Sequence, residues 1–230
     1  MIPQRLIDRV ATPDGQELVL YQRDGVFTIR VGGLELMSSR AHGSEEVLAT
    51  SVLAEVRSRR PTVLVGGLGM GFTLRAVLDA MPMDGRVMVA ELLPDVVRWN
   101  RDHLGHLAGH PLDDPRVLLV ETDVAEIMAA RTRTFDAILL DVDNGPSALT
   151  DRRNAGLYTA RGLAAVRRSL KPAGILGVWS AEPDAPFERA LRRAGFSVQV
   201  RSVHARRAAK GPRHTIFVAR TATRGGPPRR

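Results

Sequence analysis

The sequence predicts a doubly wound α/β fold with a mostly parallel sheet, preceded by a small antiparallel β-meander. Three observations predict it. From residue 62 onward, apolar runs of strand length alternate with amphipathic helical segments. Several of those runs, such as TVLVGG and FDAILLDV, are continuously apolar, as parallel strands covered on both faces must be. Residues 17–38 instead read as short strands separated by turn signals.

In chain order, ELVLYQ and VFTIRV flank Arg23-Asp24-Gly25, and VFTIRV meets LELMSS across Gly32-Gly33, giving a three-stranded meander. Ser44 precedes Glu45, Glu46 and the apolar run VLATSVLAEV, so it reads as an N-cap. TVLVGG, RVMVAEL, RVLLVET and FDAILLDV are strands, and FTLRAVLDAM, PDVVRWNRDHLG and VAEIMAAR are the helices between them. Pro94 suits the first turn of its helix. LYTARGLAAVRRSL is a helix stopped by Lys171-Pro172-Ala173-Gly174, and GILGVWSA is the next strand. APFERALRRAG follows, ended by Gly195, and FSVQVRSV pairs with HTIFVAR as a closing hairpin. These elements divide the chain into a β unit at 1–43, a ligand-binding α/β domain at 44–220 and a disordered basic tail at 221–230.

Composition narrows the function classes. There is no cysteine, hence no disulfide, thiolate metal site or thiol nucleophile. No apolar run approaches the roughly 20 residues that cross a bilayer, and MIPQRLIDRVATPDG lacks the apolar core of a secretory signal. A cytoplasmic protein with no membrane partner is expected. The net charge of +8 is local: nine of the 33 Lys and Arg lie in residues 201–230, which hold no acid, leaving 24 against 25 acids elsewhere. That region reads as a solvated hairpin tip and tail. Contact with nucleic acid is the lesser alternative, since no aromatic side chains interleave with the arginines.

The stretch VLVGGLGMGFTL, residues 63–74, runs from strand through a glycine loop into a helix. It lacks the Gly-Lys-Ser/Thr of a P-loop and the G-x-G-x-x-G of a dinucleotide fingerprint; Gly66, Gly67, Gly69 and Gly71 are spaced otherwise. Glu91 ends the second parallel strand some twenty residues on, where a carboxylate can accept both ribose hydroxyls. Asp123 follows the third strand, within reach of an adenine amino group, and Asp141 and Asp143 follow the fourth. Glycines or acids at the ends of four successive strands put one ligand at one rim of the sheet. His103, His106 and His110 have ligand-like spacing but read as a solvated helix end, interrupted by Gly105 and Gly109. His204 and His214 flank the basic hairpin and read as exposed.

The order glycine loop, Glu91, Asp123, Asp141 resembles the class I S-adenosylmethionine-dependent methyltransferase fold. The N-terminal meander and LDVDNGP…LYTARGL…LKPAGILGVWS resemble, more narrowly, the spermidine/spermine synthase (aminopropyltransferase) family over roughly residues 17–220. The resemblance implies a donor bound as an adenosyl sulfonium, either S-adenosylmethionine or its decarboxylated form. It implies a small-molecule amine acceptor and a homo-oligomer, most simply a dimer through the N-terminal strands. Asp141 would bind and deprotonate the amine, with Asp143 beside it; Glu46, Asn144 and Tyr158 are the remaining acceptor-side candidates, and Trp179 a possible wall. The chemistry suits carboxylates, because an amine of pKa near 10 must lose a proton before it attacks carbon. The displacement itself calls for no metal.

Two departures stand out. The family loop reads Gly-Gly-Gly-acid-Gly, and here Gly69 stands at the acid, between Leu68 and Met70, which would make the pocket more apolar. The family's Tyr-His-Glu falls on Ser44-Glu45-Glu46, keeping only the last acid. These leave open a methyltransferase using S-adenosylmethionine itself, and, in another class, a non-catalytic nucleoside-binding or interaction module.

Overall fold

The computed structural model describes residues 3–12, 15–142, 146, 154–206 and 211–221. Two sheets carry the architecture. The first is antiparallel, in the order β1 (Arg5–Ala11), β2 (Glu17–Arg23), β3 (Val26–Val31) and β4 (Leu34–Ser38). It has one strand more than the three-stranded meander expected. β1 is an outer strand with mostly exposed side chains, so its sequence, RLIDRVA, carries little apolar alternation. Asp8 anchors it, accepting from Trp99 Nε1 at 2.6 Å and Arg98 Nη2 at 2.7 Å.

Helix α1 (Gly43–Leu53) leads into the second sheet: β5 (Thr62–Gly66), β6 (Arg86–Glu91), β7 (Val117–Glu121), β8 (Phe135–Leu140), β9 (Leu170–Ser180), β10 (Phe196–His204) and β11 (Arg213–Thr221). Its spatial order is β10-β11-β9-β8-β5-β6-β7. β6, β5, β8 and β9 pair in parallel, as do β6 and β7, whereas β11 pairs antiparallel with β9 and β10. The intervening helices are α2 (Phe72–Ala80), α3 (Pro94–Trp99), α4 (Val124–Ala130), α5 (Ala160–Ser169) and α6 (Ala185–Arg193).

Alternate residues of β5 enter different cores. Val63 and Val65 pack with α1, α2 and the N-terminal sheet, while Leu64 packs with α4, α5 and Phe217 on the other face. Burial on both faces explains the continuous apolar runs. The chain leaves β5 toward β6 and β7, then returns to β8 on the opposite side. The strand order therefore reverses between β5 and β8, and their carboxyl ends open a crevice.

Three local expectations are corrected. The helix stops ahead of Lys171 as expected, but the strand expected from Gly174 starts earlier: β9 already pairs Leu170 with Phe135, then bulges before Ile175 pairs with Ala137. Ala173 takes φ +61°, and Lys171 Nζ reaches Asp136 Oδ2 at 2.7 Å. The helix after Pro94 is α-helical only to Trp99, continuing as a π-turn (Asn100–Leu104) and a 3₁₀ turn (Gly105–Ala108). Ser44 is not an N-cap; the helix opens at Gly43 with His42 in the cap position, and the Ser44 hydroxyl turns elsewhere. No helix among the described residues is long and apolar enough to cross a membrane.

Candidate active site

The glycine loop is fixed from three sides. Gly67, Gly69 and Gly71 adopt φ of +90°, +51° and +82°, conformations that L side chains rarely take. Gly67 N donates to Ala90 O and Asp141 N to Gly66 O, each at 2.9 Å, joining the loop to the ends of β6 and β8. Glu91 accepts from Leu68 N through Oε2 and from Leu93 N through Oε1, both at 2.9 Å. Asn100, in the π-turn, donates from Nδ2 to Gly69 O at 2.8 Å and Val96 O at 2.9 Å. Such a turn widens a helix locally and commonly marks a functional site.

A cavity of about 580 Å³ lies between this rim and the N-terminal sheet. Gly67, Gly69, Glu91, Asp123 and Asp141 line it. Gly66 packs against Val124, and Gly71 opens α2 beside Pro111, both behind the lining. Asp123 caps α4, accepting from Ala125 N at 2.7 Å. Asp141 accepts from Thr73 Oγ1 through Oδ2; burial pushes its carboxyl up to about 6, partly opposed by that hydrogen bond. Asp143 and Asn144 lie outside the described residues.

At the far end stand Glu45, Trp179 and His214. Ser44 joins them: its Oγ donates to Glu45 Oε2 at 2.6 Å, receives Trp179 Nε1–H at 3.0 Å and lies 2.8 Å from His214 Nδ1. The Trp179 and His214 rings meet edge to face at 4.6 Å. Burial, then the charge of Asp141, pushes Glu45 up to about 8; burial pulls His214 down. His214 is thus half-buried in the site and not exposed as expected. The alternation of HTIFVAR held the clue, since His214 shares a strand face with Ile216 and Val218, which pack in the same core as α1.

Glu46 is turned to His42, whose Nδ1 lies 2.8 Å from its Oε1. Tyr158 packs edge to face on Phe187 at 5.3 Å, in the core on the other side of the sheet. Leu68 and Met70 are buried in the core. The apolar surface near the loop comes from Met37 of β4 instead: a Cβ on Gly69 would stand 2.7 Å from its Cε. Met37, Thr73 and Asn100 are therefore site residues absent from the sequence reading, which names Ser44, Glu45 and His214 but gives none of them a place in the site. Among the described residues, no group of three or more His, Asp or Glu is placed to hold a metal ion.

Residues 41–187, more than half of the chain, match the spermine/spermidine synthase domain. Polyamine aminopropyltransferase 1 of Hyperthermus butylicus is 31% identical over 179 residues, covering 76% of this chain and 59% of that protein. Polyamine aminopropyltransferase of Mycobacterium tuberculosis H37Rv is 29% identical over 199 residues, covering 82% and 36%. The chain thus spans about three-fifths of the first relative and just over a third of the second. Among solved structures, spermidine synthase from Thermotoga maritima superposes with a TM-score of 0.75 at 22% identity, over 95% of this chain and 74% of that one. A spermidine synthase in complex with the transition state analogue AdoDATO gives 0.74 at 21%, over 95% and 73%. These two establish the likeness of fold.

Proposed function

The chain belongs to the spermine/spermidine synthase family, and we propose that its cavity binds an adenosyl sulfonium donor and transfers an aminopropyl group from it to an amine. One observation carries this reading. Glu35, Glu45, Glu91, Asp123 and Asp141 line the cavity, and its described lining holds no lysine or arginine. Such a surround favours cations: a sulfonium, an ammonium, or both. It also favours the decarboxylated donor over S-adenosylmethionine, whose α-carboxylate would face these acids without a cationic side chain to meet it.

In this reading the loop from Gly66 to Gly71, Glu91 and Asp123 hold the nucleoside. Asp141, followed by Asp143 and Asn144, receives the amine. Asp141 takes the ammonium proton, and the freed nitrogen lone pair attacks the carbon beside sulfur. A carbon–nitrogen bond forms, the carbon–sulfur bond breaks, and its electrons leave on sulfur as a neutral thioether. Closely placed apolar walls, Met37 and Trp179 among them, replace water around the charge that disappears. We place the enzyme in polyamine biosynthesis in the cytoplasm. We also assign homodimer contact to the N-terminal sheet, whose outer strands β1 and β4 expose Leu6 and Leu34.

Thermal denaturation with decarboxylated S-adenosylmethionine, S-adenosylmethionine and methylthioadenosine tests the donor, since a ligand at about 100 times its Kd stabilises by about 2.7 kcal/mol. The decarboxylated donor is expected to stabilise most and, with a diamine, to yield methylthioadenosine and a longer polyamine. Stabilisation by S-adenosylmethionine alone, with methyl transfer, would establish a methyltransferase; no response to any of the three would leave an interaction module.

A further inference from the structure

Removing a proton from the amine is half of a problem, because the proton must then leave the buried carboxylates that receive it. Asp141 accepts from Thr73 and has no outward partner among the hydrogen bonds of the described residues. Glu45 lines the same cavity, near enough for the charge of Asp141 to raise it. From Glu45 the contacts run outward: 2.6 Å to Ser44 Oγ, then 2.8 Å to Nδ1 of half-buried His214. Trp179 Nε1 pins Ser44 Oγ at 3.0 Å, so the hydroxyl cannot turn away.

We propose that Glu45, Ser44 and His214 form the exit route for the proton taken from the acceptor amine, an inference that rests on the transfer reaction proposed above. Two proton arrangements satisfy the same three contacts. In one, Glu45 is protonated and donates to Ser44 Oγ, and the Ser44 hydroxyl donates to His214 Nδ1. In the other, Ser44 donates to ionised Glu45, and His214 Nδ1–H donates to Ser44. In both, Ser44 oxygen accepts two hydrogen bonds, one of them from Trp179, and gives one. Passing from the first to the second moves one proton outward at each contact with no heavy atom displaced. The balance then closes: the ammonium gives its proton to Asp141, and Asp141 passes it to the inner oxygen of Glu45 across the cavity that both line. Glu45 releases its own proton to Ser44, Ser44 releases its proton to His214, and Nε2 of His214 delivers one to water.

The surrounding ionisable groups fit an outward path. Asp141 faces the relay from the end of β8, while Glu35, Glu91 and Asp123 line the cavity toward the donor. Glu46, on the same helix as Glu45, is engaged with His42. Burial raises Glu45 to about 8 and lowers the His214 imidazole, so at neutral pH the first arrangement, with Glu45 protonated and the imidazole neutral, is the resting one.

The test compares the parent chain with Glu45→Gln, Ser44→Ala and His214→Gln under saturating decarboxylated donor and diamine. Each variant is expected to lose about a hundredfold in kcat, the lower end of a single proton-transfer contribution, with acceptor KM unchanged. Added imidazole should restore His214→Gln, whose defect is at the half-buried outer end of the contacts, and leave Ser44→Ala, buried behind it, unrescued. The low-pH limb of the parent profile should shift in His214→Gln. A parent that turns over beside a His214→Gln variant of equal kcat and equal pH profile overturns the relay alone. A parent that makes no product overturns the transfer reading, and the relay falls with it. Should Ser44→Ala fail to fold without its contact to Trp179, His214→Gln and Glu45→Gln still decide the matter.

Discussion

Gly67 and Asp141 stand so close that a Cβ on Gly67 would lie 2.3 Å from the Asp141 carbonyl oxygen. The neighbouring Asp141 N–H donates to Gly66 O, and the Asp141 carboxylate accepts from Thr73 in the first turn of α2. The loop that would hold the donor and the carboxylate that would take the acceptor's proton are thus one rigid piece at the reversal between β5 and β8. Displacement chemistry needs that rigidity, because nucleophile and reacting carbon must meet within a few tenths of an ångström.

Gly67→Ala breaks this piece. Alanine must adopt φ +90° and push against backbone, which cannot swing aside as a side chain can. A cost of at least about 2 kcal/mol is expected, or a fall in Tm of roughly 4–8 °C for a chain of this size. Donor binding should weaken with it. Calorimetric melting and donor titration measure both, and a variant melting with the parent would show that the loop shifts freely.

Asp141→Asn separates binding from chemistry. The side chain keeps its shape, and its carbonyl oxygen still accepts from Thr73 Oγ1, but it cannot take a proton. Transfer should fall by about 10² or more while donor affinity stays close to the parent value. Single-turnover kinetics beside donor calorimetry read the two separately; equal losses in both would give Asp141 a donor-binding role instead.

Glu91→Gln tests the other half of the rim. Both Glu91 oxygens already accept backbone N–H groups, from Leu68 and Leu93, and the residue is 7% exposed. An amide turns its NH₂ against one of those donors, leaving it unsatisfied at a cost of about 1–3 kcal/mol. The loop and the ribose contact should therefore suffer together. Donor affinity is expected to drop about tenfold or more and Tm to fall; unchanged melting with weaker binding would confine Glu91 to the ligand.

These residues also mark how far the sequence could be read. Strand-end acids were legible because parallel strands leave continuous apolar runs, and whatever polar residue follows such a run stands at the rim. β1 was not, since its two core contacts, Ile7 and Val10, are set three apart by a bulge between Leu6 and Asp8 that breaks the two-residue period. Asn100 escaped because its contact with Gly69 crosses 31 residues and depends on a π-turn that no spacing announces. Ser44 sat where a helix cap was plausible, and only the approach of β9 and β11 to α1 turns its hydroxyl to Trp179 and His214. Met37 behaves likewise: the acid missing at Gly69 is a sequence fact, but what fills the space is decided by β4 packing across the loop.

Stability should decline with rising pH in a defined window. A carboxyl whose folded-state value is raised makes the folded chain hold more protons than the unfolded one, so stability falls as pH rises between the two values. For Asp141 the interval runs from 3.8 to about 6, and for Glu45 from 4.5 to about 8. His214, lowered from 6.5 by burial, acts oppositely below its ordinary value. Above pH 6.5, Glu45 alone of the three still titrates, so Tm of the ligand-free protein should fall from there to about pH 8 and then level. Glu45→Gln should flatten that limb; an unchanged slope in the variant would assign the decline to other groups.

Restoring the loop acid should sharpen donor choice. Gly69 has φ +51°, a left-handed conformation that aspartate tolerates better than most residues. The obstacle is Met37, whose Cε would stand 2.7 Å from the new Cβ, but that is the tip of a flexible side chain. Gly69→Asp alone is expected to fold with a modest loss of stability, and Gly69→Asp with Met37→Ala to recover space for the carboxylate. The double variant then adds an anion beside the donor's alkyl arm, favouring an ammonium there and opposing a carboxylate. Affinity for decarboxylated S-adenosylmethionine should rise by about tenfold, the scale of one charge-assisted hydrogen bond, while affinity for S-adenosylmethionine falls. Equal changes for both donors would show that the alkyl arm does not pass Gly69, and would move the ammonium site to Glu45 and Asp141.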